Sequence, residues 1–252
     1  RRKTLGNGVT IGEQNSVNFI NFSKDGRFSI SFDDDRFAML RDWSEYPKLT
    51  PSRPAAAWKH NGTITFADFS PDGSRVVTSC DDGKVRVFLT AGTMGLLDVN
   101  VSGSANNPLD VRAPTRKFRF SPADSNLVVG GAGYSKLVWF YLGGNRKALY
   151  QDHTKGPDER GPFIHGDRGA VWDVAFRPDG KYLASIGTDG LCLIWDTATA
   201  KTIASVPTEI GGRLFDAEWN HNDLLALAGE DGWIELWNLK SPTSPQKVFS
   251  TR

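Results

Sequence analysis

Five copies of one unit run through this 252-residue chain, and no other feature restricts its fold as much. Residues Phe66 to Phe88 (FADFSPDGSRVVTSCDDGKVRVF) align without a gap on Asp173 to Trp195 (DVAFRPDGKYLASIGTDGLCLIW). Ile20 to Asp42, Phe118 to Phe140 and Ala217 to Asn238 follow the same plan. The anchor aromatics are Phe22, Phe69, Phe120, Phe176 and Trp219, spaced 47, 51, 56 and 43 residues apart. A second aromatic stands 18 or 19 residues after four of them, at Phe88, Trp139, Trp195 and Trp237, and Arg41 takes that place in the first unit.

Each unit reads as three strands. A short alternating run ends at the anchor, which places Asn21 inside a buried strand. The turn that follows is Lys24-Asp25-Gly26, Pro71-Asp72-Gly73, Pro178-Asp179-Gly180 or His221-Asn222-Asp223. Pro fixes φ there, Asp caps the turn through its side chain, and Gly takes a positive φ without steric cost. An apolar, β-branched run comes next, such as Tyr182-Leu-Ala-Ser-Ile. A second turn carries Asp35, Asp82, Asp189 or Asp231, and a third strand such as Leu191-Cys-Leu-Ile-Trp195 completes the unit. The stretch before the next unit has room for a fourth, outer strand.

Short strands punctuated this regularly predict an all-β fold, and a period in the forties predicts the blades of a propeller. The repeat cores are residues 17-43, 60-89, 115-141, 169-196 and 213-239 of one domain, 1-252, and the charged stretch 143-161 reads as a mobile loop. Residues 246–251 fit the outer strand of the last blade, and residues 8–12 are an alternative source of that strand.

These units resemble WD40 repeats over roughly residues 17 to 240, through the Ser-Pro-Asp-Gly turn, the Trp195-Asp196 close, its near match Trp237-Asn238, and His60 nine residues before Phe69. The resemblance implies a hydrogen-bonded tetrad in each complete blade. In the second unit it would comprise His60, Thr78 and Asp82, with Phe88 replacing the Trp. In the fourth it would comprise Ser185, Asp189 and Trp195, but His165 stands eleven residues before Phe176 rather than nine. Rings of this family usually hold seven blades, and five are recognisable here. The chain is therefore expected to be part of a seven-bladed ring or an incomplete ring, the other blades being divergent, absent from this sequence or supplied by a partner.

Composition decides what chemistry to look for. A formal net charge of +1 demands no nucleic acid or anionic membrane. No apolar run is long enough to span a bilayer. Cys80 and Cys192 lie far apart outside any C-x-x-C pair, which favours a reducing, intracellular compartment, cytoplasmic or nuclear. Three sequons, at Asn21, Asn61 and Asn100, read as accidental. The histidines His60, His153, His165 and His221 show no metal-ligand spacing. In Asp33-Asp34-Asp35 and Asp81-Asp82 the last Asp belongs to a turn and its neighbours are expected to face water. Gly6 to Gly12 and Gly131 to Lys136 miss the dinucleotide and phosphate-loop patterns. No catalytic residue, metal or cofactor is implied, and neither membrane insertion nor a small-molecule substrate is expected.

The resemblance also implies where a partner would sit: on the narrow face of the ring, built from residues four before each anchor and from the second turns. The candidate set is Trp172, Phe215, Arg213 and Trp233, with Arg116, Asp34, Asp81 and Glu230 beside it. Aromatic residues and Arg are the usual energetic anchors of interfaces, and the acidic turns favour a protein or peptide with basic and apolar side chains. The expected function is a non-catalytic scaffold or adaptor within a multiprotein complex. An RNA-associated propeller using Arg112, Arg116, Lys117 and Arg119 is the first alternative, although these charges read more simply as a solvated strand start. A propeller enzyme with carboxylates in the central channel is the second; it requires raised carboxylate pKa values and a deep polar pocket.

Overall fold

The computed structural model describes residues 17–34, 36–46, 54–91, 95–100, 115–132, 136–143, 147–152 and 170–252. They form five four-stranded antiparallel blades. The first contains β1 (Val17–Phe22), β2 (Phe28–Asp33), β3 (Phe37–Asp42) and β4 (Ala56–Lys59). The second contains β5 (Ile64–Phe69), β6 (Arg75–Cys80), β7 (Lys84–Leu89) and β8 (Gly95–Asn100). The third contains β9 (Thr115–Ser121), β10 (Asp124–Ala132), β11 (Lys136–Tyr141) and β12 (Lys147–Asp152). The fourth contains β13 (Val171–Phe176), β14 (Tyr182–Gly187), β15 (Cys192–Asp196) and β16 (Lys201–Val206). The fifth contains β17 (Leu214–Trp219), β18 (Leu224–Gly229), β19 (Ile234–Asn238) and β20 (Gln246–Thr251).

The turns after the inner strands explain the regularity. Gly26, Gly73 and Gly180 sit at φ of 73°, 67° and 71°, and Asp223 takes 59° in the fifth blade. The turn aspartates Asp25, Asp72 and Asp179 each accept the amide two residues on, at 3.0 Å. Hydrogen bonds from Ser70 and Ser74 overcome the opposing effect of burial and hold the Asp72 carboxyl at about 2.

Four apolar cores lie between successive blades. Phe28, Ile30 and Leu40 of the first blade meet Ala67, Val76 and Phe88 of the second. Val77 and Val87 meet Phe118, Val128 and Phe140 of the third. Val129 and Trp139 meet Leu183, Leu193 and Trp195 of the fourth. Ala184, Ile186 and Ile194 meet Leu225, Leu227 and Trp237 of the fifth. A strand between two neighbours is buried on both faces, so consecutive residues such as Val76 and Val77, or Leu183 and Ala184, enter different cores.

Several details differ from the sequence expectations. The first inner strand is not buried: Ile20 is 58% and Phe22 53% exposed, and Asn21 is half-buried. Phe19 stacks on Phe32 and meets the edge of Phe66, and Asn21 bonds Asp68, so alternation turns Ile20 and Phe22 away from the second blade. Asp33 does not face water; it is buried at the end of β2. In the third blade Phe120 pairs with Val128 and Val128 with Phe140, whereas in the fourth Phe176 pairs with Leu183 and Leu183 with Trp195. The turn after Phe120 is one residue longer, so Phe140, not Trp139, stands where Trp195 stands. Trp139 points to the opposite face and meets Trp195 edge to face at 6.3 Å.

Within 143-161, residues 147–152 are strand β12 along β11 rather than loop. Their alternation (Lys-Ala-Leu-Tyr-Gln-Asp) is short and flanked by charge, which masks it. Residues 153–161 lie outside the described residues, as do residues 8–12, Asp35, Arg112, His153 and His165. Residues 246–251 form the outer strand β20.

Candidate functional site

Each inner strand is the free edge of its sheet, where half the amides lack a ladder partner. Two carboxylates take such amides from the next blade. Asp68 Oδ2 accepts the Phe120 N–H at 3.1 Å, and Asp173 Oδ2 accepts the Ala217 N–H at 3.3 Å. Asn21 Nδ2 donates to Asp68 at 3.3 Å. Lys117 Nζ donates to Asp173 at 2.7 Å and to Asp216 at 2.6 Å, reaching from the third blade to the fifth. Arg119 lies 3.9 Å from Asp173, 3.8 Å from Glu218 and over the Phe66 ring. Burial raises Asp68 and Asp173 to about 6, against the pull of Arg119 and, at Asp173, of Lys117. Lys117 and Arg119 are therefore not the solvated strand start expected of the basic segment.

The five inner strands share a second feature. Each carries a β-bulge, between Val17 and Phe19, Ile64 and Phe66, Val171 and Asp173, and Leu214 and Asp216, and opposite Gly130 to Ala132 in β9. The residue four before each anchor falls at that bulge. A bulge takes one side chain out of strand alternation and re-aims it. In three neighbouring blades the re-aimed side chains meet. The Arg116 guanidinium lies 4.2 Å from the Trp172 ring centroid, and Trp172 meets Phe215 edge to face at 5.8 Å. Phe215 is 36% exposed, and Arg116 and Trp172 are half-buried. Burial lowers the Arg116 pKa. Among the described residues its guanidinium makes no hydrogen bond or ion pair.

The other candidates lie apart from this stack. Arg213 is exposed two residues before Phe215, and its N–H donates to Glu230 at 3.1 Å. Trp233 follows a 3-10 turn (Glu230–Gly232) and packs against the core of the last two blades. Asp34 accepts Asn18 Nδ2 at 2.5 Å, and Asp81 accepts the Thr63 N–H at 2.6 Å.

The tetrad residues divide by blade. His60 Nε2 lies 2.8 Å from Thr78 Oγ1 and Nδ1 lies 3.1 Å from the Trp58 carbonyl, while Asp82 is held by Arg86 at 2.6 Å. Trp195 Nε1 donates to Ser185 at 2.7 Å, and Asp189 accepts the Leu191 N–H at 3.1 Å. Two substitutes could not be found from the family pattern. Arg41 donates to Ser31 at 3.1 Å, and Trp237 donates at 2.9 Å to the buried Glu235.

A hollow of about 230 Å³ opens beside Asp68, lined also by Lys24, Pro71, Phe120 and Pro122. Both Asp68 oxygens already accept hydrogen bonds, and no second carboxylate or histidine lines the hollow among the described residues. General acid–base chemistry needs a pair of groups free to reach a substrate. The described residues contain no cluster of three or more metal-ligating side chains, and no helix among them is long and apolar enough to cross a membrane.

A family model described as WD domain, G-beta repeat matches residues 54–88 and 162–196. Protein hir1 of Emericella nidulans is 29% identical over 189 residues, covering 71% of this chain and 18% of that protein. Protein HIR1 of Aspergillus oryzae is 27% identical over 196 residues, again 71% of this chain and 18% of the relative. The chain thus spans about 18% of the length of these relatives. The crystal structure of the Myceliophteria thermophila Cps50 (Swd1) β-propeller domain superimposes with a TM-score of 0.74 and 13% identity, over 96% of this chain and 74% of that one. At that identity the likeness is one of fold.

Proposed function

We propose that the chain, whose repeats match the WD40 family model over residues 54–88 and 162–196, is a non-catalytic, intracellular scaffold that holds protein partners within a larger assembly. The observation that carries this reading is the stack of Arg116, Trp172 and Phe215, re-aimed by bulges in three consecutive blades and left partly exposed. An aromatic pair with an Arg against it has the composition of an interface anchor. It is also costly to leave facing water without a use.

The two alternatives lose support on the same wall. Asp68 and Asp173 have the raised pKa values an enzyme reading asks for, but burial raises them and structural hydrogen bonds occupy them. Nucleic acid needs several free cations along a groove, and Lys117 and Arg119 are already opposed by Asp173, Asp216 and Glu218.

The test is affinity purification of the native protein at moderate salt, with nuclease treatment and mass spectrometry. A defined set of proteins that survives nuclease is expected. A chain that emerges alone, or companions that vanish with nuclease, would overturn the scaffold reading.

A further inference from the structure

The cations of the inner wall differ in how far they are answered. Lys117 lies between Asp173 and Asp216, and Arg119 lies near Asp173 and Glu218, so both cations are already opposed by carboxylates. Arg116 is half-buried beside them and meets no carboxylate among the described residues. Its guanidinium carbon lies 4.2 Å from the Trp172 ring centroid. Among the described residues its N–H groups have no hydrogen-bond or ion-pair partner, and a guanidinium carries them in the fork that fits a carboxylate. Arg213, exposed two residues before Phe215, adds positive charge at the other end of the stack.

The acidic residues of the same rim are differently placed. Asp34, Asp81 and Glu230 accept hydrogen bonds from Asn18, Thr63 and Arg213 of this chain, which orients them toward their own turns. Among the described residues the group at the stack left without a hydrogen-bond or ion-pair partner is thus a cation, Arg116, the reverse of what acidic turns alone imply for a partner.

We propose that the Arg116–Trp172–Phe215 stack seats an acidic peptide segment of a partner protein, with an Asp or Glu carboxylate on the Arg116 guanidinium and an adjacent apolar side chain on Phe215. This inference rests on the scaffold reading and names the chemistry of its partner. A charge-assisted, two-pronged hydrogen bond in a partly dry site supplies direction, and the aromatic pair supplies apolar area. A peptide suits the site better than RNA because one free guanidinium answers one carboxylate, whereas a nucleic acid strand presents a row of phosphates.

The test is selection of a random heptapeptide phage library on the immobilised 252-residue chain, with counter-selection on Arg116→Gln. Anisotropy titrations of the enriched peptides and of a uridine decamer follow. Enrichment of acidic, apolar-flanked sequences is expected, with binding about tenfold weaker on Arg116→Gln and on Phe215→Ala and partly kept on Arg116→Lys. Phe215→Ala guards against misfolding, since its ring is already partly exposed, and unchanged thermal unfolding midpoints check both variants. Enrichment of basic sequences, no enrichment, peptides indifferent to Arg116→Gln, or tighter binding of the uridine decamer would each overturn the proposal. The scaffold reading has its own outcome: if co-purified proteins come equally well with wild type and with Arg116→Gln, the scaffold stands and the acidic seat does not.

Discussion

Strands β2 and β14 occupy the same place in their blades, yet they are built on different patterns. In β14 the run Leu183-Ala184-Ser185-Ile186 is buried throughout, because the third blade covers one face and the fifth the other. In β2 the order is Phe28-Ser29-Ile30-Ser31-Phe32-Asp33, with the aromatic and aliphatic residues all directed at the second blade. Its other face carries Ser29, Ser31 and Arg41 where the second blade has Val76, Thr78 and Phe88. The outward face of the fifth blade is instead apolar, with Ala226, Leu236, Ile234 and the 50% exposed Phe249. Among the described residues the outward face of the first blade thus mixes buried Ser29, Ser31 and Arg41 with exposed Ile20 and Phe22, whereas that of the fifth blade is apolar.

The largest effect expected from this contrast lies on the packed side. Lys117→Met keeps the aliphatic stem but leaves the fully buried Asp173 without its ammonium, at a cost of about 3 kcal/mol in urea unfolding. That is the low end for a broken buried pair, since Lys117 is itself about a quarter exposed. A cost near zero would mean the inner wall does not join the third blade to the fifth.

Asp68→Asn should change how stability depends on pH. The folded carboxyl, at about 6 against an ordinary 3.8, holds its proton longer than in the unfolded chain. Its contribution to stability is therefore full below pH 3.8 and declines as pH rises to about 6. Relative to wild type the variant should gain roughly 2 kcal/mol between pH 3.5 and pH 7, over a constant loss for the hydrogen bond that its amide nitrogen cannot accept, read from thermal midpoints across that range. A uniform shift at every pH would contradict the assignment.

Trp195→Phe comes next, at about 1–2 kcal/mol, because Ser185 loses the indole N–H within a dry core. The second blade already carries Phe88 at that place, with His60 against Thr78. The smallest effect belongs to the open side: Ile20→Ser should change stability by less than about 0.5 kcal/mol. A larger loss would show that the exposed face of the first blade is covered in solution.

Much of the fold was legible because turn chemistry repeats on a fixed period. Pro-Asp-Gly, the anchor aromatics and the closing Trp195 place the strands of four blades within a residue or two. The third blade defeated that logic at one point. An aromatic pair, Trp139-Phe140, straddles the expected position, and one extra turn residue decides which of them faces the second blade. Spacing alone cannot see such a slip. At the site, Arg116, Trp172 and Phe215 were legible as a set because the residue four before each anchor recurs at every bulge. Their mutual stacking was not, since it depends on how closely three blades approach. The neutralisation of Lys117 and Arg119 was hidden for the same reason: their partners lie 54 or more residues away in sequence.

The polar–apolar alternation of β2 is visible in the sequence, and its apolar residues are the ones that enter the core shared with the second blade.

Quantitative co-purification with three versions of the chain tests the placement of the partner most directly: wild type, Trp172→Ala with Phe215→Ala, and Ile20→Ser with Phe22→Ser. Partners seated on the stack should be lost from the first double variant, falling at least about tenfold, and retained by the second. Loss from the Ile20 and Phe22 variant with retention by the Trp172 and Phe215 variant would contradict the account and place the partner against the open face of the first blade.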